Sequence, residues 1–409
     1  MASKSHYESR AGISIKMIFL FFVISLIMFG ALFGYIGIRL WPTLITLNIG
    51  KHVFISSLIF CSLLPLIPII LQVIGFENRW IDILAWIGFS VLGLASLILV
   101  LMLVRDLLGF VLWLGIKITG LIGTEKSVDT GRRAFMLNIT NIGIIGLAGL
   151  GTIGGLINVI RKPKVVSVRI PFINLQEELG SLKIVQISDL HIGSTIKRAF
   201  IVKVVAQVNA LKPDLVFFTG DVADGSVEYL QHDAEPLKNI IAPFGKYFVT
   251  GNHEYYSGVK PWTAEMGRLG YEVLTNCNKL ISYKNIRLLL IGIPDPEAVR
   301  FDPQNSPNIA TALTNAPEHD FSILLAHQPT AIKAAAQHNI DLQLSGHTHG
   351  GQYVPWNYVV DLVQPYTAGL HKHGPTWIYV NRGTGFWGPP IRIGVPSEIT
   401  TIKLVSSSN

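Results

Sequence analysis

Leu215-Val216-Phe217-Phe218-Thr219-Gly220-Asp221-Val222-Ala223-Asp224 reads as a buried strand that breaks on a glycine and delivers two carboxylates. Four consecutive large apolar residues are too few for a helix and fit a strand covered on both faces, and Gly220 permits a tight turn after it. The same grammar recurs along the chain. Residues 182–187 lead into Asp189-Leu190-His191, and Lys246-Tyr247-Phe248-Val249-Thr250 leads into Gly251-Asn252-His253-Glu254. Residues 322–326 lead into His327, and residues 342–344 into Gly346-His347-Thr348-His349. Residues 200–210 carry helical spacing closed by Pro213. Strand, polar loop, helix, strand is the rhythm of an α/β domain with its chemistry at the carboxyl ends of strands. Residues 165–170 add a half-buried strand. Further strands at 287–291, 322–326, 342–344, 377–380 and 399–404 have fewer helices between them, which predicts a second, more antiparallel sheet packed on the first.

Taken singly, each cluster is weak. Asp-x-His is commonly a turn with a capping aspartate, and His327 alone fits a hydrogen-bonded core histidine. Repetition changes the reading: five clusters follow apolar runs, and Gly220, Gly251 and Gly346 immediately precede the polar residues. Together they offer carboxylate and amide oxygens, imidazole nitrogens and no thiolate, a donor set suited to two adjacent divalent cations acting on a phosphoryl group. The mixture suits Mn²⁺, Fe or Zn²⁺. Other histidines fall outside this pattern. His371 and His373 lie in an expected loop with Lys372, and His232, His319 and His338 read as surface residues. Tyr255, Tyr256, Trp356, Phe386 and Trp387 gather near the motif loops, either as an apolar lip or as core. Cys61 and Cys277 are too differently placed to form a disulfide.

The amino-terminal part is of another kind. In 409 residues, 50% are hydrophobic and 14% charged, with a mean hydropathy of +0.45, too apolar for an ordinary soluble enzyme. Residues 17–38, 53–76, 83–104 and 134–160 each lack a charge and are each long enough for a bilayer core of about 30 Å. Residues 107–123 are a weaker candidate, interrupted by Lys117, that spans, lies in the interface or continues a broken third helix. The first run follows Lys4, Arg10 and Lys16 but is too long for a signal core and is read as an uncleaved span. Pro65, Pro68, Asn138 and Asn141 would suit a transport pathway, yet no charge pair is expected among the spans, so an anchor bundle is the reading.

Orientation is balanced. With five spans, Lys4, Arg10, Lys16, Arg79, Lys126, Arg132 and Arg133 fall on one side, and Arg39, Lys51, Arg105, Arg161, Lys162 and Lys164 on the other. Thr130-Gly131-Arg132-Arg133-Ala134-Phe135-Met136-Leu137 resembles a twin-arginine export signal, which places the region after Ile160 on the extracytoplasmic face. Arg161-Lys162-Pro163-Lys164 argues the other way. The net charge of +7 sits largely beside the spans, where it meets lipid headgroups, and gives no nucleic-acid footprint. The domain expectation is a transmembrane region of four or five helices over residues 1–160 and a hydrolase domain over 161–409, ending in a frayed tail at residues 405–409.

The ordered motifs Asp-x-His, Gly-Asp-x-x-Asp, Gly-Asn-His-Glu, His and Gly-His-x-His resemble those of the calcineurin-like metallophosphoesterases over residues 165–404, with no ligand position missing. Gly350-Gly351-Gln352 after the last motif, Arg382-Gly383-Thr384-Gly385 and Pro390-Ile391-Arg392 resemble the membrane-associated branch, which includes transmembrane proteins with a metallophosphoesterase domain. The resemblance implies a four-layer α/β/β/α domain, two β-sheets flanked by helices, behind an α-helical transmembrane bundle. It implies one metal held by Asp189, His191, Asp221 and His349, and another by Asp221, Asn252, His327 and His347, with Asp221 bridging. His253 would donate a proton to the leaving oxygen or stabilise phosphoryl charge, with Asp224 orienting it or a ligand. Glu254 closes a capping box or supports its loop.

The expected function is that of an integral, multi-pass cell-membrane hydrolase with a binuclear centre, manganese among the candidate metals. It cleaves a phosphoester or pyrophosphate bond by a hydroxide bridging the ions. Tethering favours a lipid-linked or other amphiphilic phosphate. Alternatives are a phosphodiesterase acting on soluble nucleotides, a non-catalytic metal-binding regulatory module, and a transporter with an appended domain.

Overall fold

Strands β2 (Ile184–Ile187), β3 (Leu215–Phe218), β8 (Phe321–Leu325) and β9 (Leu342–Ser345) are largely apolar and buried at every position, Gln186, Ser322, Gln343 and Ser345 included. The structure, a computed structural model, describes residues 15–119, 129–173 and 175–407. Lys4, Arg10, Lys126, the far end of the 107–123 segment and the last two residues of the tail lie outside the described residues. Contacts divide the chain into two compact units, Ile15–Ile157 with Pro389–Ile391, and Asn158–Gly388 with Arg392–Asn409.

The second unit holds two six-stranded sheets. The first has the order β1 (Lys164–Ile173), β12 (Glu398–Ser407), β2, β3, β4 (Lys246–Phe248), β5 (Glu272–Val273). The other runs β10 (Gly369–His373), β11 (Thr376–Val380), β9, β8, β7 (Ile286–Gly292), β6 (Cys277–Tyr283). Ile184, Leu215 and Phe217 from one sheet meet Leu288, Leu290, Ile323 and Leu344 from the other in a shared core. The opposite face of the second sheet, with Leu289, Ile291 and Leu324, packs on Ile332 and Ala335 of helix Ile332–Gln337. Helix Arg198–Ala210 buries Ile201, Val204, Val205 and Val208, one stripe at helical spacing. Two sheets flanked by helices give the expected four layers.

Two expectations about the sheets are corrected. The second sheet is mixed rather than mainly antiparallel, because β7, β8, β9 and β11 are mutually parallel and only the β6 and β10 edges run antiparallel. The returns between its parallel strands are made by short helices such as Ala298–Phe301 and Ile309–Ala312, too short to show a period in sequence. β12 joins the first sheet, parallel to β1 and antiparallel to β2. His371 and His373 lie on β10, paired with β11, and not in a loop. His232, His319 and His338 are exposed as expected, and Cys61 and Cys277 are free.

The helical unit contains α1 (Ile15–Thr46), α2 (Lys51–Leu63), α3 (Leu66–Val73), α4 (Arg79–Thr119) and α5 (Thr130–Ile160). Pro65 lacks an amide hydrogen and divides α2 from α3. Among the described residues, four segments are long and apolar enough to cross a membrane: Phe22–Thr46, Lys51–Val73, Arg79–Ile118 and Thr130–Ile160. Phe33, Ile36, Ala95, Ile98, Met102, Ile144 and Ala148 form the core of the unit. The 107–123 candidate is not a separate span. No proline interrupts residues 79–119, and α4 runs on for 41 residues, about twice a 30 Å bilayer core at 1.5 Å per residue.

Its continuity overturns the expectation of uncharged helices. Asp106 pairs with Arg39 on α1 and with Arg105 at 2.9 Å, and accepts from Tyr35 Oη. Arg105 donates to Asn141 on α5, whose amide in turn donates to Thr43 Oγ1 at 2.8 Å. This partly buried polar seam joins three helices.

Candidate metal centre

Parallel strands place their carboxyl ends along one edge, and the polar loops emerge there. Asp189 and His191 follow β2, Asp221 and Asp224 follow β3, and Asn252 and His253 follow β4. From the other sheet, His327 follows β8, and His347 and His349 follow β9. The turns are sharp: Asp189, His191, Asp221, His347 and His349 all have φ between 50° and 72°. That left-handed region costs a non-glycine residue about 1–2 kcal/mol, so the surroundings must hold each one in place. Backbone bonds across the loops do so, from Asp189 N to Gly220 O (2.9 Å), His191 N to Asp221 O (3.1 Å) and Gly346 N to His327 O (2.9 Å).

Glu254 locks two of the loops together. Its fully buried carboxylate accepts from Gly251 N (2.6 Å), Asp221 N (3.0 Å) and Val222 N (2.7 Å). Burial, with the Asp221 charge beside it, raises Glu254 to about 7. Close approach explains the glycines. A Cβ on Gly346 would fall 2.0 Å from Ser188 Oγ and 2.3 Å from Asp189 Oδ2, and Gly220, at φ 91°, has His327 Nδ1 at 2.6 Å from the same point.

The side chains converge in three overlapping groups, Asp189–His191–His349, His191–Asp221–His253 and Asp221–His327–His347, whose donor atoms lie within 4.8 Å of one another. His191 Nε2 and His349 Nε2 are 3.0 Å apart, with Asp189 Oδ1 3.6 Å from the latter. Asn252 Oδ1 lies 3.2 Å from His327 Nε2 and 3.1 Å from His347 Nδ1. Asp221 Oδ2 stands between the groups, 3.1 Å from His327 Nε2 and 3.6 Å from His191 Nε2. Outward bonds orient two rings. His327 Nδ1 donates to Thr219 O (2.6 Å) and His191 Nδ1 to Asp224 Oδ1 (3.0 Å), so both Nε2 atoms face inward. Burial pushes His347 down to about 3, and burial with the charges of His191 and Arg392 holds His349 well below its usual value, which keeps these rings neutral. Burial alone would raise Asp221, but the charges of His327 and His253 hold it well below the ordinary carboxylate value. Two neutral imidazoles, an amide oxygen and carboxylates gathered around one anionic aspartate fit divalent cations.

The family model for calcineurin-like phosphoesterase matches residues 182–351, which contain all of these side chains. A Danio rerio transmembrane protein with metallophosphoesterase domain is 35% identical over 338 residues, 80% of this chain and 74% of that protein. The chain belongs to the calcineurin-like metallophosphoesterases. An uncharacterized metallophosphoesterase of Helicobacter pylori is 36% identical over 276 residues, covering 67% of this chain and 72% of its own. A Thermus thermophilus 5'-nucleotidase precursor is a distant structural likeness, with 15% identity over 54% of each chain and a TM-score of 0.35, too low to carry an assignment.

Beside the convergent side chains of this metallophosphoesterase, His253 Nδ1 lies 2.6 Å from Asp224 Oδ1, so one carboxylate orients both His253 and His191. Burial pulls His253 down, but Asp224 and Asp221 outweigh it and raise the ring to about 9. The aromatic cluster divides. Tyr255 and Phe386 are buried, whereas Tyr256 and Trp387 are exposed and stand edge-on to the His253 ring at 5.4 and 5.5 Å. Arg392 had no expected role at the site, and its buried guanidinium reaches His349 Nδ1 (3.1 Å), Gly385 O (2.7 Å) and His349 O (3.3 Å). Its signals are its place in Pro390-Ile391-Arg392 and a lone charge inside the apolar stretch Pro389-Pro390-Ile391-Arg392-Ile393.

Proposed function

We propose that this metallophosphoesterase is a multi-pass membrane hydrolase that cleaves a phosphoester or pyrophosphate bond at a binuclear centre. Asp189, His191, Asp221 and His349 would hold one divalent cation, and Asp221, Asn252, His327 and His347 the other, as Mn, Fe or Zn. Bound there, such ions supply Lewis acidity toward phosphoryl oxygens and activate water near neutral pH. Asp221 is the one carboxylate that reaches histidines of both groups, which carries the bridging assignment. Asn252 contributes a neutral oxygen, so the site keeps net positive charge toward a phosphate. His253, held by Asp224 at 2.6 Å beside the centre, is placed to protonate the leaving oxygen.

The amino-terminal region, residues 1–160, serves as the anchor, and residues 161–409 as the hydrolase. Only residues 161–163 separate α5 from β1, a tether that confines the site to the bilayer surface and favours lipid-linked or other amphiphilic phosphates. Four crossings return the chain to the side it started from. The Arg132-Arg133 pair ahead of α5 favours an extracytoplasmic domain, which a carboxyl-terminal alkaline phosphatase fusion reads directly.

The test of activity is purification in detergent and a screen of bis-p-nitrophenyl phosphate and lipid phosphoesters, with Asp221→Asn beside wild type. Turnover by wild type and near-complete loss in the variant support the reading. A metal-loaded wild-type protein inert toward every ester would make it a binding module.

A further inference from the structure

Immediately after the last histidine motif, the chain leaves the site and turns outward. Between Tyr353 and Gly369 Asp361 is the sole charged residue, and its carboxylate is engaged by Thr367 Oγ1. The short helix Trp356–Asp361 and the turn after it present Tyr358, Val359, Leu362 and Val363 at positions i, i+1, i+4 and i+5, on one face. All four are exposed, with Tyr358 at 64%, Val363 at 73% and Leu362 at 84%. Isolated exposed apolar side chains are ordinary, but a contiguous face of them marks a surface that meets something apolar.

The segment is braced against the site. Gly351, at φ 74°, lies so close that a Cβ there would meet Asn357 Cα at 2.1 Å, and Thr348 Oγ1 donates to Thr367 O at 2.6 Å. Gln352 pairs in both directions with the Trp387 backbone, Nε2 to O and Oε1 from N, each at 3.0 Å. Trp387 is exposed, and its ring touches His253 edge-on. An apolar ridge and an aromatic side chain therefore begin at the mouth of the metal centre.

We propose that this ridge dips into the lipid surface beside the site, so that an amphiphilic phosphoester passes from the bilayer to the metals without crossing water. The inference rests on the hydrolase reading and adds where its substrate is drawn from. A bilayer is the occupant because the same chain carries four apolar helices and a three-residue link between α5 and β1 holds this unit at a membrane. The near absence of charge fits the uncharged acyl boundary rather than a charged protein partner, and tyrosine with tryptophan suits the headgroup layer, where one end of the ring is wet.

The experiment uses the full chain in nanodiscs, one copy per disc, with Cys61 and Cys277 replaced by serine and an environment-sensitive fluorophore attached at Leu362→Cys. Val363→Cys repeats the measurement at a neighbouring position, and Glu318→Cys, at a 91% exposed side chain, is the control. The expected result is blue-shifted emission at both ridge positions that is quenched by lipids spin-labelled near the headgroup, with the control unshifted and unquenched. Water-like, unquenched emission at the ridge would overturn the proposal. So would a blue shift without lipid quenching, which would mean that a protein surface covers the ridge. Replacing Leu362 and Val363 by aspartate should also lower the ratio of turnover on a bilayer-embedded phosphoester to that on bis-p-nitrophenyl phosphate. No turnover of either ester by wild type would sink the hydrolase reading, while the quenching would still decide the docking.

Discussion

Replacing Glu254 by glutamine keeps the shape of the side chain and removes one of its two acceptor oxygens. The native carboxylate is fully buried and accepts three backbone N–H groups, two on Oε2 from Gly251 and Asp221 and one on Oε1 from Val222. A glutamine satisfies at most one side of this arrangement, because its NH₂ faces the remaining N–H group or groups as another donor. One buried donor left unsatisfied costs about 1–3 kcal/mol, and the alanine variant, which orphans three, costs correspondingly more until water enters. For a unit of this size, each kcal/mol lowers the unfolding midpoint by about 2–4 °C, so Glu254→Gln should melt roughly 2–12 °C below wild type and Glu254→Ala lower still. The assay is thermal unfolding of the purified full chain in detergent, with metal content measured on the same samples. Both variants should also hold less metal, since Asp221 and Asn252 flank the N–H groups that Glu254 fixes. A Glu254→Gln protein that melts with wild type and retains its metal would refute the claim that this carboxylate positions the two loops.

Gly346→Ala pushes a methyl group into Ser188 Oγ and Asp189 Oδ2, an overpacking that costs about 1–3 kcal/mol and displaces a ligand; metal analysis should show the loss before unfolding does. His253→Ala removes a proton donor while leaving the ligand set intact, so turnover should fall by about 10²–10⁴ at unchanged metal content. Arg392→Met leaves the buried carbonyls of Gly385 and His349 without their donor and should lower stability by roughly 2–4 kcal/mol, read as a drop in melting temperature.

Strands covered on both faces were the most legible part of the sequence. The runs that became β2, β3, β8 and β9 are largely apolar, and a glycine, a histidine or an aspartate follows each within two residues. The edge strands β5, β6 and β10 were not. β5 has two residues, and β10, with His371, Lys372 and His373 on a partly exposed rim, carries neither a two-residue nor a helical period. The place of β12 depends on pairing with β2, some two hundred residues earlier, which no local pattern records. Similarly, Arg105 and Asp106 looked like a span boundary because their partners, Arg39, Tyr35 and Asn141, are remote in sequence. The nine candidate site residues were legible because each sits beside a short polar word after an apolar run, and the structure brings all nine to one edge. What the words did not show is their support. The triple contact of Glu254, the sharing of Asp224 between two histidines and the guanidinium of Arg392 behind His349 are properties of the folded loops alone.

Electron paramagnetic resonance of the manganese-loaded protein tests the binuclear centre most directly, because two Mn²⁺ ions sharing the Asp221 carboxylate are close enough to couple. Wild type should hold two manganese per chain and give the multiline spectrum of an exchange-coupled pair, which collapses in Asp221→Asn. A six-line spectrum of isolated Mn²⁺ at one ion per chain, or no bound manganese, iron or zinc, would contradict it.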